Sequence, residues 1–157
     1  MTAIQVGDRA PAVTAQAQNG QQISLADYRG KQVVVLYFYP KDGTPVCTKE
    51  ACAFRDAYED FVRAGAVVIG VSSDSLDRHQ AFARGHQLPF LLLADEDNAI
   101  RKAFGVPKTL GLLAGRVTYV IDRQGVVRHV FSSQLAADRH VAEALEIVTQ
   151  LAHDSGV

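Results

Sequence analysis

Cysteine is scarce in this chain: there are two in 157 residues, and both lie in one short segment. That count excludes the disulfide framework that staples small secreted domains. An excess of charge of one sign is also missing. Lys and Arg number 16 against 17 Asp and Glu, a net charge of −1, which argues against a nucleic acid or other polyanion as partner. No apolar run approaches the ~20 residues that a membrane span needs. The stretch from Met1 to Arg9 lacks the basic-then-apolar order of a secretion signal and the Arg- and Ser-rich character of a transit peptide. A cytoplasmic setting is therefore expected, where thiols are normally reduced, so a disulfide here would be transient and catalytic. There is no internal repeat, low-complexity tract or linker. With 48% apolar residues the chain can build one core, and a single domain over residues 1–157 is expected.

What is present is an alternation of strand and helix patterns. Asn19-Gly20, between Val13–Gln18 and Gln21–Leu25, reads as a tight hairpin turn. Val33 to Tyr39 is apolar at every position and reads as a central strand buried on both faces. Residues 46–64 read as a helix, Ala66–Val71 as a second buried strand, and Leu76–Arg84 as a helix ending near Gly85. Phe90–Leu93 reads as a short strand, and Asn98–Phe104 as a short helix stopped near Gly105 and Pro107. Val117–Ile121 and Val126–Phe131 read as a hairpin, and 138–152 as a final amphipathic helix. The order implies an α/β fold whose sheet has a parallel core covered by helices and a terminal antiparallel pair.

The two thiols follow the central strand, in Pro40-Lys-Asp-Gly-Thr44-Pro45-Val46-Cys47-Thr-Lys-Glu50-Ala-Cys52. Thr44 suits a helix N-cap and Pro45 the first helical position. Cys47 then falls in the first turn, where free N–H groups and the positive end of the helix dipole favour a thiolate, the nucleophilic form. On a helical wheel Ala51, Phe54, Tyr58, Phe61 and Val62 lie within about 60° of Cys47, so it faces the sheet. Cys52 lies about 140° away, with Asp56, Glu59 and Arg63. In an intact helix the two Cα atoms are roughly 8–9 Å apart on diverging sides, and a disulfide needs roughly 4.4–6.8 Å. If the two join, the first turns of the helix must unwind.

Other chemistry is less favoured. Cys52 could be a small buried hydrophobe. The spacing lacks the CxxC geometry of a metal or thioredoxin-type site, and no metal is expected. His79, His86, His129, His140 and His153 stand among polar neighbours and are expected to be solvated surface residues. No Ser/His/Asp set, phosphate loop or paired-carboxylate pattern stands out.

The segment from Phe38 to Asp56 resembles the active-site region of peroxiredoxins, most closely the PrxQ or bacterioferritin-comigratory subfamily. Pro40, Thr44 and Cys47 meet the family's Pro-x-x-x-Thr-x-x-Cys, and Lys49-Glu50-Ala51-Cys52 the subfamily's mark. Val6 to Pro11, Asn19 to Gly30, Gly70 to Asp74 and Gly115 to Asp122 match in kind and order, so the likeness covers nearly the whole chain. It implies a thioredoxin-like fold, with a central mixed sheet flanked by helices and an N-terminal hairpin, and a thiol peroxidase without cofactor. By the resemblance Cys47 is peroxidatic, forming a sulfenic acid. Cys52 is resolving, closing an intramolecular disulfide that thioredoxin or a similar dithiol reduces. Thr44 would hydrogen-bond thiolate or peroxide, Pro40 would shield the sulfur, Arg116 would stabilise the thiolate and transition state, and Glu50 would orient an arginine. A monomer is implied. Val46 departs from the subfamily's frequent Gly, and its β-branch should stiffen the segment. Two other readings stand beside this one: Cys52 as a bystander, with an external thiol resolving the sulfenic acid, and a non-enzymatic redox sensor or holdase on the same fold.

Overall fold

The structure is a computed structural model and describes residues 3–106 and 115–154. A short hairpin comes first, β1 (Thr14–Gln16) against β2 (Gln22–Ser24), antiparallel, with Thr14 opposite Ser24. The turn is wider than two residues: Ala17 N–H donates to Gln21 O, Gly20 N–H donates to Ala17 O, and Gly20 takes φ +88°. A turn of 3-10 helix (Leu25–Tyr28) leads to the central strand β3 (Val33–Phe38). After it come α1 (Pro45–Asp56), α2 (Tyr58–Arg63), β4 (Ala66–Ser72), α3 (Leu76–His86) and β5 (Leu91–Ala94). The chain continues through α4 (Ala99–Phe104), β6 (Val117–Ile121), β7 (Val127–Ser132) and α5 (Ala137–Asp154). Pro107, expected to help stop α4, lies outside the described residues.

The main sheet has the order β5-β4-β3-β6-β7. β4 pairs parallel with β3 and β5, whereas β6 pairs antiparallel with β3 and β7. This is the mixed sheet the alternation implied. Every residue of β3 is buried because both faces are covered. The two-residue period of the strand sends Val33, Val35 and Tyr37 to the face that holds Cys47, Ala51, Phe54, Phe61, Ala144 and Val148. Val34, Leu36 and Phe38 go to the other face, with Ile100, Phe104 and Tyr119.

Two expectations need correction. The helix over 46–64 is two helices, because Ala57 leaves helical geometry at φ −95°, ψ 2°. The interruption changes the phase of the wheel: Phe61 is fully buried, but Val62 is 51% exposed instead of facing the sheet. The helix expected to end near Gly85 runs through it to His86, and Gln87 takes a left-handed conformation (φ 54°) and caps the last turn through Ala83 O and Arg84 O.

Candidate active site

Cys47 stands in the first turn of α1, 1% exposed, on the face packed against the sheet. Thr44 is the N-cap by backbone: it is extended at φ −77°, ψ 154°, and its carbonyl accepts the Thr48 N–H at 2.8 Å. Its side chain does not cap. The hydroxyl donates backward to Lys41 O at 2.8 Å, and it does not cover the N–H groups of the first turn. The positive end of the helix is left open beside the sulfur.

Arg116 comes to the same place from the start of β6. One guanidinium nitrogen donates to Cys47 Sγ at 3.1 Å, another to Glu50 Oε1 at 2.6 Å, and Nε to Gln134 O at 3.0 Å. Arg116 is 3% exposed and Glu50 fully buried. Burial alone would lower the Arg116 pKa, but the Glu50 carboxylate and the Cys47 sulfur outweigh it and hold the guanidinium above its usual value. Burial pushes the Glu50 carboxyl up to about 7, against the pull of Arg116. Arg116 and Glu50, three residues along α1 from Cys47, thus form one cluster with the sulfur. Pro40 is half-buried where the chain leaves β3.

Cys52 is half-buried and away from this cluster, its sulfur 3.8 Å from His86 Nδ1 on α3. Both cysteines are free thiols, and their placement on different sides of α1 agrees with the wheel.

The expectation of surface histidines fails at two positions: His79 and His140 are fully buried. His140 Nε2 donates to Ser133 O at 2.8 Å, which leaves Nδ1 to accept the Thr118 hydroxyl at 2.7 Å. Burial lowers its pKa to about 4, so this ring is neutral. It lies behind Glu50, with Nδ1 3.7 Å from Oε2, an oxygen that has no hydrogen-bond partner among the described residues. His79 lies at the loop before α1 with Asp42 and Asp74. Its sequence signal was spacing: Leu76, His79, Phe82, Ala83 and His86 share one face of α3. No motif in the sequence marks the second buried arginine. Buried Arg101 donates to Gly115 O at 2.9 Å and to Tyr39 O at 3.2 Å, tying the residue before Arg116 to the residue before Pro40.

A model of the AhpC/TSA family matches residues 6–130. The chain belongs to the AhpC/TSA family. Within it, the chain stands with the Q-type peroxiredoxins. It is 51% identical over 146 residues to the chloroplastic peroxiredoxin Q of Sedum lineare, across 92% of this chain and 78% of that one. The solved peroxidoxin BcpB of Mycobacterium tuberculosis superposes with a TM-score of 0.87 at 34% identity, across 94% of this chain and 98% of that one. The bacterioferritin comigratory protein of Xanthomonas campestris, whose alkyl peroxide reduction activity was followed in trapped complexes, gives a TM-score of 0.84 at 27% identity, across 97% and 99%. This peroxiredoxin is a thiol-dependent peroxidase on a thioredoxin-like fold.

Proposed function

We propose that Cys47 is the peroxidatic and Cys52 the resolving cysteine of a peroxidase that reduces hydrogen peroxide and organic hydroperoxides. The observation that carries this reading is the Arg116 hydrogen bond to a buried sulfur in the first turn of a helix. The Cys47 thiolate attacks one peroxide oxygen. An S–O bond forms as the O–O bond breaks, and the electron pair leaves on the second oxygen, which takes a proton and departs as water or alcohol. Negative charge develops on that oxygen, and fixed donors offset it where it forms: Arg116 and the uncapped N–H groups of α1. The Thr44 hydroxyl donates to Lys41 O and keeps its lone pairs for a peroxide O–H. Glu50 fixes the guanidinium, and Pro40 keeps water from the sulfur.

Cys52 then attacks Cys47 Sγ as a thiolate, expelling hydroxide, which is protonated to water, and a disulfide remains. Thioredoxin, or a similar dithiol, returns both thiols by exchange. We take the working unit to be a monomer. The three large exposed apolar residues among those described, Val6, Val62 and Leu135, belong to separate stretches of chain. Light scattering in the reduced and oxidised states checks this.

The test of function is peroxide-dependent NADPH consumption with thioredoxin and its reductase. Turnover in the native protein and none in Cys47→Ser is expected. Equal turnover in the variant contradicts the assignment. The Cys52→Ser variant should form the sulfenic acid at the native rate but fail to turn over with thioredoxin.

A further inference from the structure

Asp42 lies in the loop between Pro40 and Thr44, five residues before Cys47. Lys41 and Gly43 beside it are exposed, yet the Asp42 side chain is 5% exposed. It is held from several directions. Oδ2 is 2.6 Å from His79 Nδ1, Oδ1 accepts the Tyr39 hydroxyl at 2.6 Å, and the backbone N–H donates to Asp74 Oδ2 at 2.8 Å. Asp74 is fixed in turn by the Ser72 hydroxyl at 2.6 Å. His79, buried in α3, is 3.0 Å from Leu93 O through Nε2.

The protonation pattern follows from the partners. A carbonyl only accepts, so Nε2 carries hydrogen. One further proton must lie in the Nδ1–Oδ2 contact, since two bare acceptors 2.6 Å apart repel. Imidazolium with carboxylate and imidazole with carboxylic acid both satisfy this, and both are neutral overall. The same three side chains are close enough to suggest a cation site. However, a zinc ion with ligands at about 2.0 Å holds them more than 3 Å apart, and here the contact is closed by hydrogen. The cluster is a hydrogen-bonded knot.

We propose that the Asp42–His79 pair is a latch that holds the segment leading into α1, and so sets how often α1 unwinds to bring Cys47 to Cys52. Both are positioning residues, acting on Cys47 through the backbone of residues 43–46. The knot ties this loop to β4, α3 and the end of β5, elements outside α1. Its loss loosens the N-terminal stem of the switch and favours the unwound state. The latch thus favours peroxide reduction over disulfide formation. Because a sulfenic acid that waits meets a second peroxide, it also favours loss of the enzyme to the sulfinic state.

The inference rests on the assignment of Cys47 and Cys52 as a reacting pair, and the test separates the two. In Asp42→Ala and in His79→Ala, disulfide formation after one equivalent of peroxide should speed up about tenfold, the usual scale for loss of a buried charge-assisted hydrogen bond. The peroxide dose that gives sulfinic acid should rise in step. Asp42→Asn keeps an acceptor for Tyr39 and a donor for a neutral His79, so it should restore most of the native behaviour. If His79→Ala does not fold, Asp42→Ala, a change in the surface loop, decides. Hydrogen exchange of the reduced protein needs no disulfide: amides of residues 43–48 should exchange about tenfold faster in Asp42→Ala. A native protein that forms no disulfide overturns the cysteine pairing alone. A folded Asp42→Ala with native exchange in this segment overturns the latch.

Discussion

Arg116 holds two groups at once, a sulfur and a carboxylate, and its replacement should show in two measurements. Arg116→Met should slow the reaction of Cys47 with peroxide by about 10²- to 10³-fold, the scale for removing one preorganised donor from a developing charge. Stopped-flow fluorescence or competition with a second peroxidase reads this directly. The same change leaves Glu50 buried without a cation, at a cost of about 3–5 kcal/mol if the carboxylate stays charged. Without the pull of Arg116 the buried carboxyl is pushed up further, and it escapes part of that cost by taking a proton. The pH dependence of stability follows from the same group. A carboxyl raised to about 7 in the fold binds a proton that the unfolded chain does not hold between pH 4.5 and 7. Its contribution is therefore full below pH 4.5 and is lost as pH rises through 7. His140, lowered to about 4, works the other way and costs stability as pH falls from 6.5 towards 4. Glu50→Gln removes the first contribution and leaves the second. Its melting temperature should fall more steeply than the native protein's as pH drops from 7 to 4.5, and parallel curves would contradict the shift.

Among the elements, α1 would have two conflicting tasks in the proposed cycle. Wound, it puts its first turn and Arg116 at Cys47; unwound, it lets Cys52 reach that sulfur. Val46, half-buried in its first turn, is β-branched and on this proposal should resist opening. Val46→Gly should raise the peroxide concentration needed for sulfinic inactivation, and equal sensitivity counts against that role. The sheet beneath is less forgiving. A Cβ on Gly70 of β4 would lie 2.9 Å from Tyr37 Cζ and 2.9 Å from Leu92 Cδ2. The Tyr37 ring is stacked on Phe54 of α1, 4.5 Å between centroids. Gly70→Ala should therefore displace the floor under α1 and destabilise the protein by about 1–3 kcal/mol, seen as a lower melting temperature. Elements of this kind were legible from sequence wherever one face alternated or both were apolar, as in β3, β6 and α5. The break at Ala57 was not, because Tyr58, Phe61 and Val62 fit one wheel, and only packing shows that Val62 turns outward.

At the scale of the whole molecule, the site is assembled from distant parts of the chain: the β3–α1 loop, α3, and the start of β6. That explains what could and could not be read beforehand. Cys47 was marked by local chemistry, Thr44-Pro45 before it and an apolar strand before that. Arg116 had no local mark among eleven arginines, and only the family resemblance singled it out. Asp42 carried no mark and His79 only its place on the apolar face of α3, because their pairing exists only once α3 closes over the loop. The same assembly has a thermodynamic consequence. Glu50 lies between the two cysteines in sequence, so unwinding α1 far enough to join them takes its carboxylate off Arg116. A disulfide closing so short a loop stabilises by about 2 kcal/mol in the chain-entropy view, less than the core packing of Cys47 and Ala51 and the helix hydrogen bonds that are lost. The oxidised protein should therefore melt below the reduced one. A higher melting temperature on oxidation would mean that the helix stays wound.

The most direct test of the account is the mass of the native protein after one equivalent of peroxide, with peptide mapping. A loss of two hydrogens, located to a Cys47–Cys52 bond, is the predicted result. A sulfenic acid on Cys47 beside a free Cys52 thiol would contradict it.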